Sequence, residues 1–269
     1  MAGIIERGTG RPIVLIPGIQ GRWEWMAPTM EALAAHGRAI TFSLCDEPTS
    51  GFAWSQERGF ENYLAQLEDV LAATGAERPV LVGVSYGGLV AAEFASRHPE
   101  RVAGVVVASA PPPTWTPDRR VRRYLVAPRL LGPAFWAGAP LRAYPELKAA
   151  IPDLRSRLRF ALTQGLRVLA APPSSGRMAR RLEWLQRAQF AIDQHVDVPA
   201  LVVTGEAVLE RVVPPQQTAE YLAWLPQARA VTMRGTGHAG SITQSQKFAA
   251  LVGEFAAGLR DDAGAASVA

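Results

Sequence analysis

The sequence predicts an α/β fold: a mostly parallel central sheet with helices on both faces and a helical cap inserted between two strands. Three observations carry this. Short apolar, β-branched runs alternate with longer helix-like runs; a glycine-flanked turn joins one strand directly to a helix; and the alternation breaks once, between Pro112 and His195.

Taken in order, strand-like runs fall near residues 12–17, 39–44, 79–84, 102–109, 200–205 and 229–233, and helix-like runs near 57–74, 87–98, 215–225 and 244–259. The helix near 215 is marked by Pro214 and Pro215, since proline is accepted in a first turn where its missing N–H would have no partner. The stretch 112–195 is rich in proline, arginine and aromatics, and contains amphipathic runs from Arg155 to Leu169 and from Met178 to Ile192. It reads as the helical cap. Residues 1–111 and 196–260 then form the core domain, and 261–269, small and polar, a disordered tail.

At 269 residues the chain can bury a substantial core as one α/β domain. No stretch approaches the length of a membrane helix, and Met1 to Arg7 lacks a basic region followed by a long apolar one. The single cysteine, Cys45, excludes an intrachain disulfide and reads as a small buried hydrophobe in a reducing compartment, so a cytoplasmic location is expected. There is no metal-ligand spacing and no sign of a cofactor. Charge is unevenly divided: residues 112–195 carry 15 Lys+Arg against 5 Asp+Glu, net +10, which leaves −6 elsewhere in a chain of net +4. Arg119, Arg120, Arg122 and Arg123 cluster near Trp115 and Tyr124, while Arg177, Arg180, Arg181 and Arg187 flank Trp184. The simpler reading is solvated faces with arginines lying over aromatics. The sharper one is attraction of anionic substrates or weak contact with an anionic lipid surface. No nucleic-acid motif accompanies these clusters. Oligomeric state is not readable.

The glycine-flanked turn is Gly83-Val84-Ser85-Tyr86-Gly87, between the strand Val80-Leu81-Val82 and the helix that begins near Gly88. A serine on so tight a turn is held in a strained conformation, and side chains two residues either side would collide. The turn lifts the Ser85 hydroxyl off the sheet and leaves the Tyr86 amide at the positive end of the helix, facing a developing oxyanion. Ser85 is the candidate nucleophile.

A serine nucleophile needs a base and an acid that orients it. Of four histidines, His36 and His98 close helices and His195 precedes an apolar run, whereas His238 lies in the loop Gly235-Thr236-Gly237-His238 after a strand. His238 is the candidate base. Two acids follow the strand at 200–205, Glu206 and Glu210; Glu210, four residues before Pro214, is favoured.

With the order Ser85, Glu210, His238 in place, the chain from Pro12 to about Leu259 resembles the α/β-hydrolase-fold serine hydrolases. The resemblance implies a second oxyanion amide from the loop after the first long strand, here Pro17-Gly18-Ile19-Gln20-Gly21, which points to Ile19. Pro17 stands where that family commonly has histidine, and glutamate stands where aspartate is the commoner acid. The resemblance further implies a cap that roofs the site. Trp23, Trp25 and Met26, just after the oxyanion loop, line an acyl pocket or simply pack the core. A carboxylic ester of a small or medium hydrophobic acid is the expected substrate. A carbon–carbon bond hydrolase or lyase, or a slow-turnover ligand receptor, would keep the same three residues.

Overall fold

The computed structural model describes residues 3–192 and 197–259; His195 and the segment 261–269 lie outside these. Among the described residues seven strands form one sheet: β1 (Ile4–Arg7), β2 (Pro12–Ile16), β3 (Arg38–Phe42), β4 (Val80–Val84), β5 (Gly104–Ala108), β6 (Ala200–Gly205) and β7 (Ala228–Met233). Their order is β1-β3-β2-β4-β5-β6-β7, with β1 antiparallel to β3 and every other pairing parallel. The register sets Leu15 opposite Val82 and Val82 opposite Val106.

Parallel strands need crossovers, and helices supply them on both faces. These are α1 (Ala27–Leu33), α2 (Glu61–Thr74), α3 (Tyr86–Arg97), α4 (Arg119–Val126), α5 (Pro128–Ala137), α6 (Ala139–Ala150), α7 (Leu154–Ala170), α8 (Ser175–Arg187), α9 (Ala219–Trp224), α10 (Gly240–Thr243) and α11 (Ser245–Ala257). Alternate strand residues feed two separate cores, as the two-residue period of a strand dictates. Val14, Ile16, Leu81, Val105, Val107 and Val202 pack with α2, α3 and α9. Ile13, Leu15, Val80, Val82, Val106 and Leu201 pack with α1 and α11.

Strand β1 and helix α1 were not expected from the sequence. At four residues, half of them exposed, β1 is too short to show an alternation, and α1 spans only two turns. The expected helix start at 57 moves to Glu61 because Asn62 holds the preceding turn: its side-chain oxygen accepts the Ser55 amide and its Nδ2 donates to the Ser55 and Gly59 carbonyls. The expected helix at 215–225 divides into a 3-10 turn, Pro215–Thr218, and α9, and the amphipathic run to Ile192 ends at Arg187.

Helices α4 to α8 occupy the break in the alternation, between β5 and β6. They attach to loops that follow strand carboxyl ends. Trp25 Nε1 donates to the Ala171 carbonyl at 2.9 Å, and Gln164 Nε2 donates to the Trp25 carbonyl at 3.1 Å. Helix α7 buries none of its residues, and Leu154, Leu158, Leu162, Leu166 and Leu169 are exposed. Among the described residues no helix is long and apolar enough to cross a membrane.

Candidate active site

The chain runs from β2 to β3 on one side and then crosses to β4 on the other, so a crevice opens beyond the carboxyl ends of β2 and β4, the usual ligand position in an open α/β sheet. Ser85 stands there, between β4 and α3, with φ 53° and ψ −121°. For a residue with a side chain that is a strained backbone, maintained because its surroundings over-determine it. The Ser85 amide donates to the Ala108 carbonyl at 2.8 Å, and its carbonyl accepts from the Gly88 amide at 2.9 Å. The flanking glycines are sterically required: a Cβ at Gly83 would lie 2.2 Å from the Gly87 carbonyl oxygen, and one at Gly87 would lie 2.4 Å from that of Ile16.

The structure brings Ser85, His238 and Glu210 together from three loops. His238 Nε2 lies 3.1 Å from Ser85 Oγ, and His238 Nδ1 lies 3.3 Å from each Glu210 carboxylate oxygen. Glu210 is fixed from behind, because its Oε1 also accepts the Val212 and Val213 amides at 2.8 and 3.1 Å. Its side chain is only 2% exposed. Burial alone would push its pKa up; the hydrogen bond and charge of His238, with the two amides, outweigh this and hold it below the ordinary glutamate value. Glu206 is not at the histidine. It turns the chain instead, its amide donating to the Thr236 carbonyl and its carbonyl accepting the Leu209 and Glu210 amides.

The Tyr86 amide opens α3, a position without an intrahelical acceptor. Ile19 sits in the turn from Gly18 to Gly21, closed by the Gly21 amide on the Gly18 carbonyl at 2.9 Å. Trp23 and Trp25 are half-buried, and Trp25 meets Trp136 of α5 edge-on at 5.6 Å. Met26 has no exposed surface and belongs to the core beneath α1 and α11.

Three groups near the site escaped the sequence reading. Glu146 of α6 reaches the histidine loop, where its Oε1 accepts the Ala239 amide at 2.9 Å. Burial raises its pKa, against the lowering effect of the Gly237 amide and of His238. Asp46 and Glu47, beyond β3, are wholly buried as side chains and hold the arginines of α8: Arg177 Nε to Glu47 Oε1 at 2.9 Å, Arg180 Nη2 to Asp46 Oδ2 at 2.9 Å, and Arg181 to both. The solvated-face reading of this cluster is therefore corrected for Arg181, which has no exposed surface, although Arg180 does lie over Trp54 and Trp184, at 4.3 and 5.3 Å. An acidic pair some 130 residues upstream gives no local sequence signal of that contact. Among the described residues no group of three or more His, Cys, Asp or Glu could hold a metal ion.

The family model for the alpha/beta hydrolase fold matches residues 11–245. A protein of Escherichia coli O157:H7 with the provisional name carbamate hydrolase RutD is 28% identical over 251 residues, covering 89% of both chains. Among solved structures, the esterase EaEST of Exiguobacterium antarcticum superposes with TM-score 0.74 at 18% identity over 94% of each chain. The enol-lactonase of Burkholderia xenovorans LB400 does so with TM-score 0.73 at 19% identity, over 94% of this chain and 95% of the other. With the sheet order, the turn at Ser85 and this match in agreement, the chain belongs to the α/β hydrolase fold family and is a hydrolase.

Proposed function

We propose that the protein is a serine hydrolase that cleaves a carboxylic ester of a small or medium hydrophobic acid through an acyl-enzyme on Ser85. The observation that carries this reading is the chain of contacts from Ser85 Oγ to His238 Nε2 at 3.1 Å and from His238 Nδ1 to Glu210 at 3.3 Å. His238 takes the Ser85 proton as Oγ adds to the ester carbonyl carbon. The Ile19 and Tyr86 amides receive the oxyanion, and Glu210 holds the imidazolium that forms. Collapse breaks the C–O bond to the alcohol, which leaves with the proton from His238. Water then adds to the acyl-serine with His238 as base, releasing the acid and restoring Ser85.

The relative at 28% identity favours a second reading, cleavage of a carbamate. The same three residues would then form a carbamoyl-serine, which water releases more slowly because nitrogen donates electron density into the carbonyl. A panel of p-nitrophenyl esters of increasing acyl length, run beside p-nitrophenyl carbamates with Ser85→Ala as control, separates the two. Burst release of p-nitrophenol followed by fast turnover on the esters supports the first reading. Turnover of carbamates alone would replace it.

A further inference from the structure

The Ile19 amide belongs to the Gly18–Ile19 peptide, so its aim is set by where the turn from Gly18 to Gly21 is placed. A shift of that turn would re-aim the amide expected to meet the oxyanion, so something must hold it. Pro17, which has no polar side chain, does not.

Arg181 does. Its Nη1 donates to the Ile19 carbonyl at 2.6 Å, and the guanidinium is fixed on its other sides by Asp46 Oδ1, 3.0 Å from Nε and 2.6 Å from Nη2, and by Glu47 Oε1, 2.6 Å from Nη2. The planar fork lies flat against Gly21, where a Cβ would come within 2.3 Å of Nη1 and where φ is +76°. The same residue meets the other oxyanion donor, since the Tyr86 hydroxyl donates to the Arg181 carbonyl at 3.4 Å. Tyr63 adds a contact from α2 to Asp46 Oδ1 at 3.3 Å. Arg181 belongs to α8, in the inserted segment, whereas Ile19, Asp46, Glu47, Tyr63 and Tyr86 all belong to the body.

We propose that Arg181 is a positioning residue that holds the turn carrying Ile19 in place, through the Ile19 carbonyl and Gly21, so that the oxyanion hole is complete only while α8 is seated on the body. This rests on the serine hydrolase reading above. A lysine cannot replace it, because one ammonium group cannot reach the Ile19 carbonyl and both carboxylates in one plane.

The test compares an ester with its thionoester, whose sulfur gains far less from an oxyanion hole than oxygen does. Rates are expressed per Ser85 site titrated with a fluorophosphonate, so that unfolded protein is not counted. In Arg181→Lys, kcat for the ester falls on the order of 10²-fold with KM nearly unchanged, the scale of losing one oxyanion donor. The ester-to-thionoester ratio falls with it. Because a lone buried carboxylate destabilises the fold, the double variant Arg181→Met, Asp46→Asn, which removes one positive and one negative charge, is measured alongside, and the same fall in the ratio is expected. An unchanged kcat per titrated site, or equal losses on ester and thionoester, overturns the proposal. Absence of ester turnover and of Ser85 labelling in the wild type would instead overturn the serine hydrolase reading.

Discussion

In the body, all of β4, β5 and β6 is buried, while in the inserted segment α7 buries nothing and leaves five leucines exposed. The body is held by two apolar layers that the strands feed in alternation; the insertion joins one of them through Leu182, Trp184 and Leu185 of α8 and adds a charged seam, with Arg177, Arg180 and Arg181 on Asp46 and Glu47 and Glu146 on the histidine loop. Even within the insertion two arginine clusters that look alike in sequence behave differently. On α4, Arg119, Arg122 and Arg123 are exposed and make no ion pair among the described residues, whereas Arg181 of α8 is wholly enclosed. The difference teaches that the candidate site is built on the apolar body, while the insertion is seated by a smaller apolar contact and an enclosed charge cluster at the seam.

The comparison breaks first where the chemistry is. Glu210→Gln should lower kcat by roughly 10² to 10⁴ with little change in KM, because glutamine cannot balance the imidazolium that forms on His238. Glu206→Gln, changed in a residue whose carboxylate does not touch the histidine, should do far less. Steady-state kinetics on one p-nitrophenyl ester would show it, and the reverse ranking would move the acid to Glu206.

The next effect belongs to the seam. Asp46→Asn leaves Arg181 buried with one carboxylate, and breaking such an enclosed pair costs about 3–5 kcal/mol. Urea unfolding should show a loss on that scale. A loss below about 1 kcal/mol would mean that water reaches the cluster and that the enclosed network is not what anchors α8.

Glu146 sharpens the comparison through pH. Its folded pKa lies above the ordinary value because burial disfavours the anion, so its contribution to stability is present below that ordinary value and is lost as pH rises through the raised one. The groups that face it are His238, whose charge lowers the shift, and Glu210, whose charge adds to it. In Glu146→Gln this penalty is absent. The melting temperature of the variant should equal the wild type's in acid and exceed it increasingly as pH rises; a gap that closes with rising pH would reverse the assignment.

The smallest effect is expected on α4. Changing Arg119, Arg122 and Arg123 to glutamine should leave the urea midpoint and neutral-ester turnover unchanged, since exposed charges act only over about 8 Å at physiological salt. A loss of salt dependence confined to an anionic ester would show that this cluster steers substrate.

The sequence made some of this legible and left the rest dark for physical reasons. Ser85, His238 and both acids beyond β6 were readable because glycine-bounded turns after apolar strands leave a local mark. The choice of Glu210 over Glu206 turned on Pro214, an indirect cue; in the structure Glu210 lies 3.3 Å from His238. Arg181, Asp46 and Glu47 left no such mark. Each is an ordinary charged residue until the fold sets it against partners more than 130 residues away. Helix α1 and strand β1 were missed because they are too short to establish a period.

The central claim is that the reaction passes through a covalent bond at Ser85. It is tested most directly by incubating the protein with a fluorophosphonate and locating the adduct by peptide mass spectrometry, with hydrolysis of a p-nitrophenyl ester measured on the same sample. The account predicts one adduct, on Ser85, formed in step with loss of activity, and neither adduct nor activity in Ser85→Ala. An adduct on another serine that accounts for the inhibition, or full ester hydrolysis by Ser85→Ala, would contradict it.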